Sequence, residues 1–155
     1  LRAWFYDTWG FLALANAADP DHAAAADADR RRGAERLTVV TTDYVLDETL
    51  TALHASAGPA VALRFLDLFE ARVAAENLML VDVHALRREA ALAIFRRLAP
   101  KAPRLSFTDC TSFAVMAELG LSEAFTADRH FRLPGGGIHP LFEIRRGRAV
   151  WSAGG

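Results

Sequence analysis

The sequence predicts an α/β fold, a three-layer α/β/α sandwich around a mostly parallel central sheet. Three observations predict it. Short apolar or β-branched runs recur along the chain, with Leu37 to Thr41 the clearest. Longer segments with helical spacing of apolar residues separate them. Strands that alternate with helices in this way are joined by crossovers, and crossovers make neighbouring strands parallel. The third observation is size. At 155 residues and 52% hydrophobic, with no internal repeat or long linker, the chain suits one domain with its own core. We read residues 1–155 as that single domain.

Ala3 to Tyr6 is an apolar run that ends at Asp7, as a buried strand would. Helical patterning follows from about Gly10 to Ala17. Asp19-Pro20-Asp21 breaks it, and a second helix opens there and closes near Gly33. Leu37 to Thr41 is the second strand. Thr42 or Asp43 caps the next helix, and Leu46, Leu50 and Leu53 form its apolar stripe. Gly58-Pro59 ends that helix and opens another, with Val61, Phe65, Leu68 and Val73 expected inward. Leu78 to Val83 is the third strand, and a helix from about Ala85 to Leu98 stops before Pro100. Ser106-Phe107-Thr108-Asp109 has the form of a capping box. The helix it opens should point Phe113, Met116 and Ala117 inward and close at Gly120. Glu123 to Ala127 is the fourth strand. Asp128 to Phe131 reads as a turn, and Ile138 to Ile144 as one further strand. Arg146-Gly147 can turn it into a hairpin ending near Trp151.

Composition narrows the function. Eighteen Lys and Arg against nineteen Asp and Glu leave a formal charge of −1, so no bulk basic field exists to coat a duplex. Any nucleic-acid contact must be local. No apolar run reaches the roughly 20 residues of a membrane span, and the N-terminal apolar stretch is interrupted too early for a signal peptide. Cys110 is the only cysteine, which excludes an internal disulfide and a multi-cysteine zinc site. A cytoplasmic location is the expectation.

Four acids stand where an open parallel sheet keeps its sites, outside the carboxyl ends of the strands. Asp7 follows the first strand and Asp128 the fourth. Glu48 lies in the early turns of the helix after the second strand. Asp109 lies in the first turn of the helix opened by Ser106. Taken singly, an Asp after a strand is a turn residue and an Asp at a helix start is a cap. Together on one edge they would repel one another, unless a dication becomes the largest local charge. Mg²⁺ and Mn²⁺ prefer such oxygen donors.

The words around these acids resemble the PIN-domain family, in particular its VapC toxin branch. Phe5-Tyr6-Asp7-Thr8 is similar to the family's opening strand and first acid, and Val45-Leu46-Asp47-Glu48-Thr49 to its second. Ser106-Phe107-Thr108-Asp109-Cys110-Thr111-Ser112-Phe113 resembles the third. Phe125-Thr126-Ala127-Asp128-Arg129-His130-Phe131 resembles the fourth, with a Thr two residues before the acid. The resemblance runs from about residue 3 to residue 142, and the last two words are the most specific. The tail, residues 143–155, matches no motif. The resemblance implies a Mg²⁺- or Mn²⁺-dependent endoribonuclease acting on single-stranded RNA. For the toxin branch it implies an antitoxin that plugs the acidic groove. Asp7, Glu48, Asp109 and Asp128 would then be metal ligands or their supports, and Thr126 would orient a metal-bound water or Asp128. A homodimer is expected from the apolar helices around Val45 to Val73.

The remaining candidates carry blander readings. Asp47 points about 100° away from Glu48 on a helix and should face solvent. Trp9 is read as a packing aromatic, although it could narrow the groove or stack a base. His130 is read as a helix-start or packing histidine, although it could contact phosphate or donate a proton, and His22 and His54 lack metal-site partners at useful spacing. Arg30-Arg31-Arg32 suits a solvated helix face; Arg129 and Arg132, flanking the fourth acid, are the better phosphate ligands. Gly135-Gly136-Gly137 precedes a strand and is followed by no Lys-Ser/Thr, so it is not a phosphate loop. Two other functions compete. One is a catalytically silent PIN-like domain that binds RNA or protein, against which all four acids speak. The other is a phosphatase of the haloacid-dehalogenase type, which wants a second acid where Trp9 stands.

Overall fold

The computed structural model describes residues 1–135 and 137–152. Its strands and helices follow one another as β1 (Ala3–Tyr6), α1 (Thr8–Ala15), α2 (His22–Ala34), β2 (Thr38–Thr42), α3 (Asp43–Ala57), α4 (Pro59–Ala74), β3 (Leu78–Val81), α5 (Ala85–Leu98), α6 (Phe107–Leu119), β4 (Glu123–Phe125), β5 (His139–Pro140), β6 (Phe142–Arg145) and β7 (Arg148–Trp151). Short 3₁₀ turns occupy Ala99–Lys101 and Arg129–Arg132. The central sheet has the order β3-β2-β1-β4-β5, and every pairing in it is parallel. Helices flank it, as the alternation predicted. Gly136 of the triglycine loop and the tail residues 153–155 lie outside the described residues.

The sheet is apolar because helices cover it. All four residues of β1 are buried, and so are Val39 to Thr42 of β2. Parallel strands buried on both faces read as continuous apolar runs, not alternating ones. The core of β1 and β4 is aromatic: Tyr6 stacks on Phe125 at 4.2 Å with an interplanar angle of 9°. The Tyr6 hydroxyl leaves this core to donate to Asp29 Oδ1 at 2.6 Å, which pins α2 to the sheet. Arg32 also reaches Asp29, at 2.9 Å. Burial raises the Tyr6 phenol above its ordinary range, and the charge of Asp29 adds to it.

Helix α1 lies close to β4 because residue 10 is glycine. A Cβ there would sit 2.4 Å from Phe125 Cδ1 and 2.6 Å from the Phe125 carbonyl oxygen. The backbone carbonyl cannot move out of the way cheaply. Gly10→Ala is therefore expected to cost about 3 kcal/mol, read as a lower midpoint in a urea melt. A midpoint within error of the parent would show that α1 can lift off the sheet.

Several local expectations are corrected. The segment Ile138 to Ile144 is not one strand. The Leu141 N–H still donates to the Ala124 carbonyl at 2.8 Å, but the next residue, Phe142, also donates, to the Thr126 carbonyl at 3.1 Å, so the alternation of a regular strand ends there. Only His139–Pro140 pairs with β4, while β6 pairs antiparallel with β7 in a separate hairpin. On α3 the buried stripe is Val45, Thr49 and Leu53, one position round from the stripe expected through Leu46 and Leu50. On α4 the buried residues are Ala62 and Phe69, and Leu68 is 62% exposed. Helix α6 has no single inward face at its start: Asp109 to Met116 are all buried, while Ala117 is exposed. Helix α3 packs on one side of it and α5 on another. Among the described residues no helix is long and apolar enough to cross a membrane.

Candidate active site

The strand order itself creates the cleft. From β1 the chain first moves to β2 on one side, and later returns to place β4 on the other. The β1–β4 gap is thus where the winding reverses, and loops at the carboxyl ends diverge there. Tyr6 pairs with Phe125 at the end of that register. The next residues, Asp7 and Thr126, stand side by side across the gap.

Thr126 is fully buried and makes the central link. Its hydroxyl donates to Asp7 Oδ2 at 3.0 Å and accepts from the Asp128 backbone N–H at 3.0 Å. It therefore fixes one acid by its side chain and the other by its backbone. Asp128 caps the 3₁₀ turn, with Oδ1 accepting from the His130 N–H at 2.9 Å. Asp109 is held by the capping box that the sequence predicted. Ser106 Oγ accepts from the Asp109 N–H at 3.0 Å, and Asp109 Oδ2 accepts from the Ser106 N–H at 3.1 Å. His130 completes the group. Its Nδ1 lies 3.1 Å from Asp128 Oδ1 and 3.8 Å from Asp109 Oδ2.

The electrostatics show what this arrangement costs. Burial pushes the Asp7 carboxyl up to about 8, and the charge of Asp109 adds to the push. Hydrogen bonds from the Thr8 backbone and the Thr126 hydroxyl oppose it without cancelling it. Burial likewise pushes Asp109 up to about 6, with Asp128 contributing and the Ser106 bonds resisting. Carboxyls with raised pKa values clustered in a cleft are a mark of a functional site.

The donors fit a small dication. Asp109, Asp128 and His130 offer ligand atoms within 4.8 Å of one another. Carboxylates are the hard donors that Mg²⁺ and Mn²⁺ prefer. Thr8 Oγ1, in the residue next to Asp7, is buried without a hydrogen-bond partner. Such an orphan is satisfied by ordered water of the kind a hydrated ion carries.

Glu48, like Asp7, is not one of the three residues whose ligand atoms converge. It is half-buried at the border of the α3 stripe and makes no hydrogen bond through its side chain among the described residues. Asp47 beside it is exposed, as its helical position required. Asp43 does structural work, accepting from the Val83 N–H at 3.0 Å, and Thr42 caps α3. Trp9 packs on Phe142 at 5.0 Å and on Phe125 at 6.4 Å, so its partly buried ring lies against the core. Cys110 is buried, and burial pushes its thiol up to about 11. His130 is the residue the sequence undervalued. Its signal was its place two residues after Asp128, where a tight turn brings a side chain back over its own cap.

The PIN domain family model matches residues 5–136, which include all four acids. The chain belongs to the PIN domain family. Within that family it is VapC-like. It is 30% identical over 131 residues to the 23S rRNA-specific endonuclease VapC20 of Mycobacterium tuberculosis, covering 84% of this chain and 93% of the relative. The crystal structure of M. tuberculosis VapC20, described as a Sarcin-Ricin loop cleaving toxin, matches with a TM-score of 0.72 at 30% identity, over 86% of this chain and 95% of that one. VapBC2 from Rickettsia felis, bound to a DNA fragment from its promoter, matches with a TM-score of 0.66 at 13% identity, over 96% and 99% of the two chains. DNA-bound VapBC from Salmonella typhimurium matches with a TM-score of 0.62 at 18% identity, over 90% and 97%. These last two share the fold of this PIN domain.

Proposed function

We propose that this PIN domain, read as one unit over residues 1–155, is a Mg²⁺- or Mn²⁺-dependent endoribonuclease that hydrolyses phosphodiester bonds in single-stranded RNA. It acts in the cytoplasm as the toxin of a toxin–antitoxin pair. The observation that carries the reading is the Thr126 link, which holds Asp7 and Asp128 beside Asp109 in a buried site that is unfavourable for carboxylates without a cation. Asp7, Asp109 and Asp128 hold the ion, and Glu48 supports it from α3. When bound, the ion lowers the pKa of a coordinated water and draws charge from the scissile phosphate. Thr126 keeps the Asp7 carboxylate and the Asp128 backbone in fixed register. His130 orients Asp128 through the 3.1 Å contact. Self-association and capture by an antitoxin belong to the same reading, and Leu63 and Leu68, 60% and 62% exposed on α4, give it apolar surface.

The test is cleavage of several unrelated single-stranded RNAs, with 23S rRNA included because of the similarity to VapC20. Cleavage is expected with Mg²⁺ or Mn²⁺ and is expected to stop on adding chelator. Cleavage that persists in chelator would overturn the metal-dependent reading.

A further inference from the structure

A groove of about 650 Å³ runs away from the acidic cluster, lined by Asp128, Arg129, Arg132, Phe142, Glu143 and Ile144. One wall is the 3₁₀ turn Arg129–Arg132 and the other is the β6–β7 hairpin. The hairpin lies beyond the family match, which ends at residue 136. We propose that Arg129 and Arg132 grip consecutive phosphates of an RNA strand lying in this groove beside the scissile bond. The proposal rests on the ribonuclease reading above.

Helical geometry puts the two arginines in line. In a 3₁₀ turn, residues at i and i+3 eclipse, and a rise near 2 Å per residue separates them by about 6 Å along the axis. That spacing suits neighbouring phosphates on one strand. Both side chains are exposed, and neither has a carboxylate within salt-bridge distance among the described residues. The groove's other acid, Glu143, is matched by Arg145 at 3.3 Å. Two free guanidinium forks therefore face the groove next to Asp128, and such forks bind phosphate bidentately.

The opposite wall is held firmly. Arg148 donates to the Pro20 carbonyl at 2.8 Å, and the Ala149 N–H donates to Asp21 Oδ1 at 2.9 Å. Trp151 packs between Trp4 and Phe142, at 5.5 Å and 5.4 Å. Ile144, 52% exposed, leaves an apolar surface on this wall for a base to lie against. The charge favours RNA over a protein occupant, because a protein would have to supply two acids at phosphate spacing.

The experiment measures binding apart from cleavage. In an Asp109→Asn background, a short labelled single-stranded RNA of mixed sequence is titrated by fluorescence anisotropy at several salt concentrations. Arg129→Ala with Arg132→Ala is expected to weaken binding about tenfold or more. The slope of log affinity against log salt should fall by about 1.4, since each lost phosphate contact on a single strand removes about 0.7. The double Lys variant should recover the slope and only part of the affinity, and Arg30→Ala with Arg31→Ala should change neither. With Asp109 restored, the double Ala variant should raise KM and leave kcat near parent. Unchanged affinity and slope in the double Ala variant would overturn the assignment and leave the groove to a protein partner. If the parent binds no RNA and the wild type cuts none with either metal, the ribonuclease reading itself falls. If the wild type cuts and only the groove variant behaves as parent, the groove assignment falls alone.

Discussion

Asp109→Asn is expected to lower RNA cleavage by about 10²-fold or more while the melting temperature stays level or rises. The two effects separate because Asp109 does two jobs with different requirements. As N3 of the capping box it accepts from the Ser106 N–H at 3.1 Å. An Asn carbonyl oxygen can accept the same bond, so the start of α6 is preserved. As a proposed metal ligand it must bring negative charge, which Asn lacks. Removing one of three crowded charges also relieves the repulsion that, with burial, raises the Asp7 and Asp109 carboxyls. Asp47→Asn is the internal control, because its side chain is exposed and its cleavage rate should stay near parent. Full activity in Asp109→Asn would remove Asp109 from the chemistry. Loss of activity together with a large drop in melting temperature would mean that its role is to hold the fold.

The acids that the structure links were legible in the sequence because each stands at a boundary. Asp7 ends an apolar run, Asp128 ends another two residues after Thr126, and Asp109 completes Ser-x-x-Asp. Boundaries are where period and polarity change, and the carboxyl edge of a parallel sheet collects them. Glu48 has no such boundary. It lies inside a helix, and its distance from the others depends on how α3 is rotated. The stripe read through Leu46 and Leu50 was one position out, because Thr49 is buried and the apolar count alone favours leucine. Leu68 failed for the opposite reason. An apolar residue at the right spacing faces inward only where another element covers it, and at Leu68 none does in the single chain. The split of Ile138 to Ile144 turned on Leu141 and Phe142, whose consecutive N–H groups both donate back toward β4 and its end, a local irregularity that no apolar pattern records. His130 was read mainly as a packing residue because the turn from Asp128 to Phe131 was legible but the direction in which it aims a ring was not.

The metal-free protein is expected to lose stability as pH rises from about 5 to 8, and Asp7→Asn is expected to flatten that fall. The sign follows from where the carboxyl titrates. In the unfolded chain an Asp carboxyl titrates near its ordinary value of 3.8, whereas burial and the Asp109 charge place Asp7 at about 8 in the fold. A folded pKa above the unfolded one means the folded state holds the proton longer. Its stabilisation is complete below about pH 4 and is lost as pH rises through 8, after which the curve levels. Asp109, at about 6, steepens the lower half of the same window. The Asp7 shift corresponds to a loss on the order of 5 kcal/mol across the window, large against the 5–15 kcal/mol that holds a typical domain together. Asn has no proton to lose, and its carbonyl oxygen can still accept from the Thr126 hydroxyl. Asp7→Asn should therefore exceed the parent in stability at pH 8 and approach it at pH 5, in urea melts with chelator present. Adding Mg²⁺ or Mn²⁺ should reverse the comparison. Ligands must be ionised to bind a cation, so metal should stabilise the parent more at pH 8 than at pH 5 and the Asn variant little at either. A parent protein whose metal-free stability is flat between pH 5 and 8 would mean that Asp7 ionises without penalty, and that the buried site holds no unmatched carboxylate for a cation to relieve.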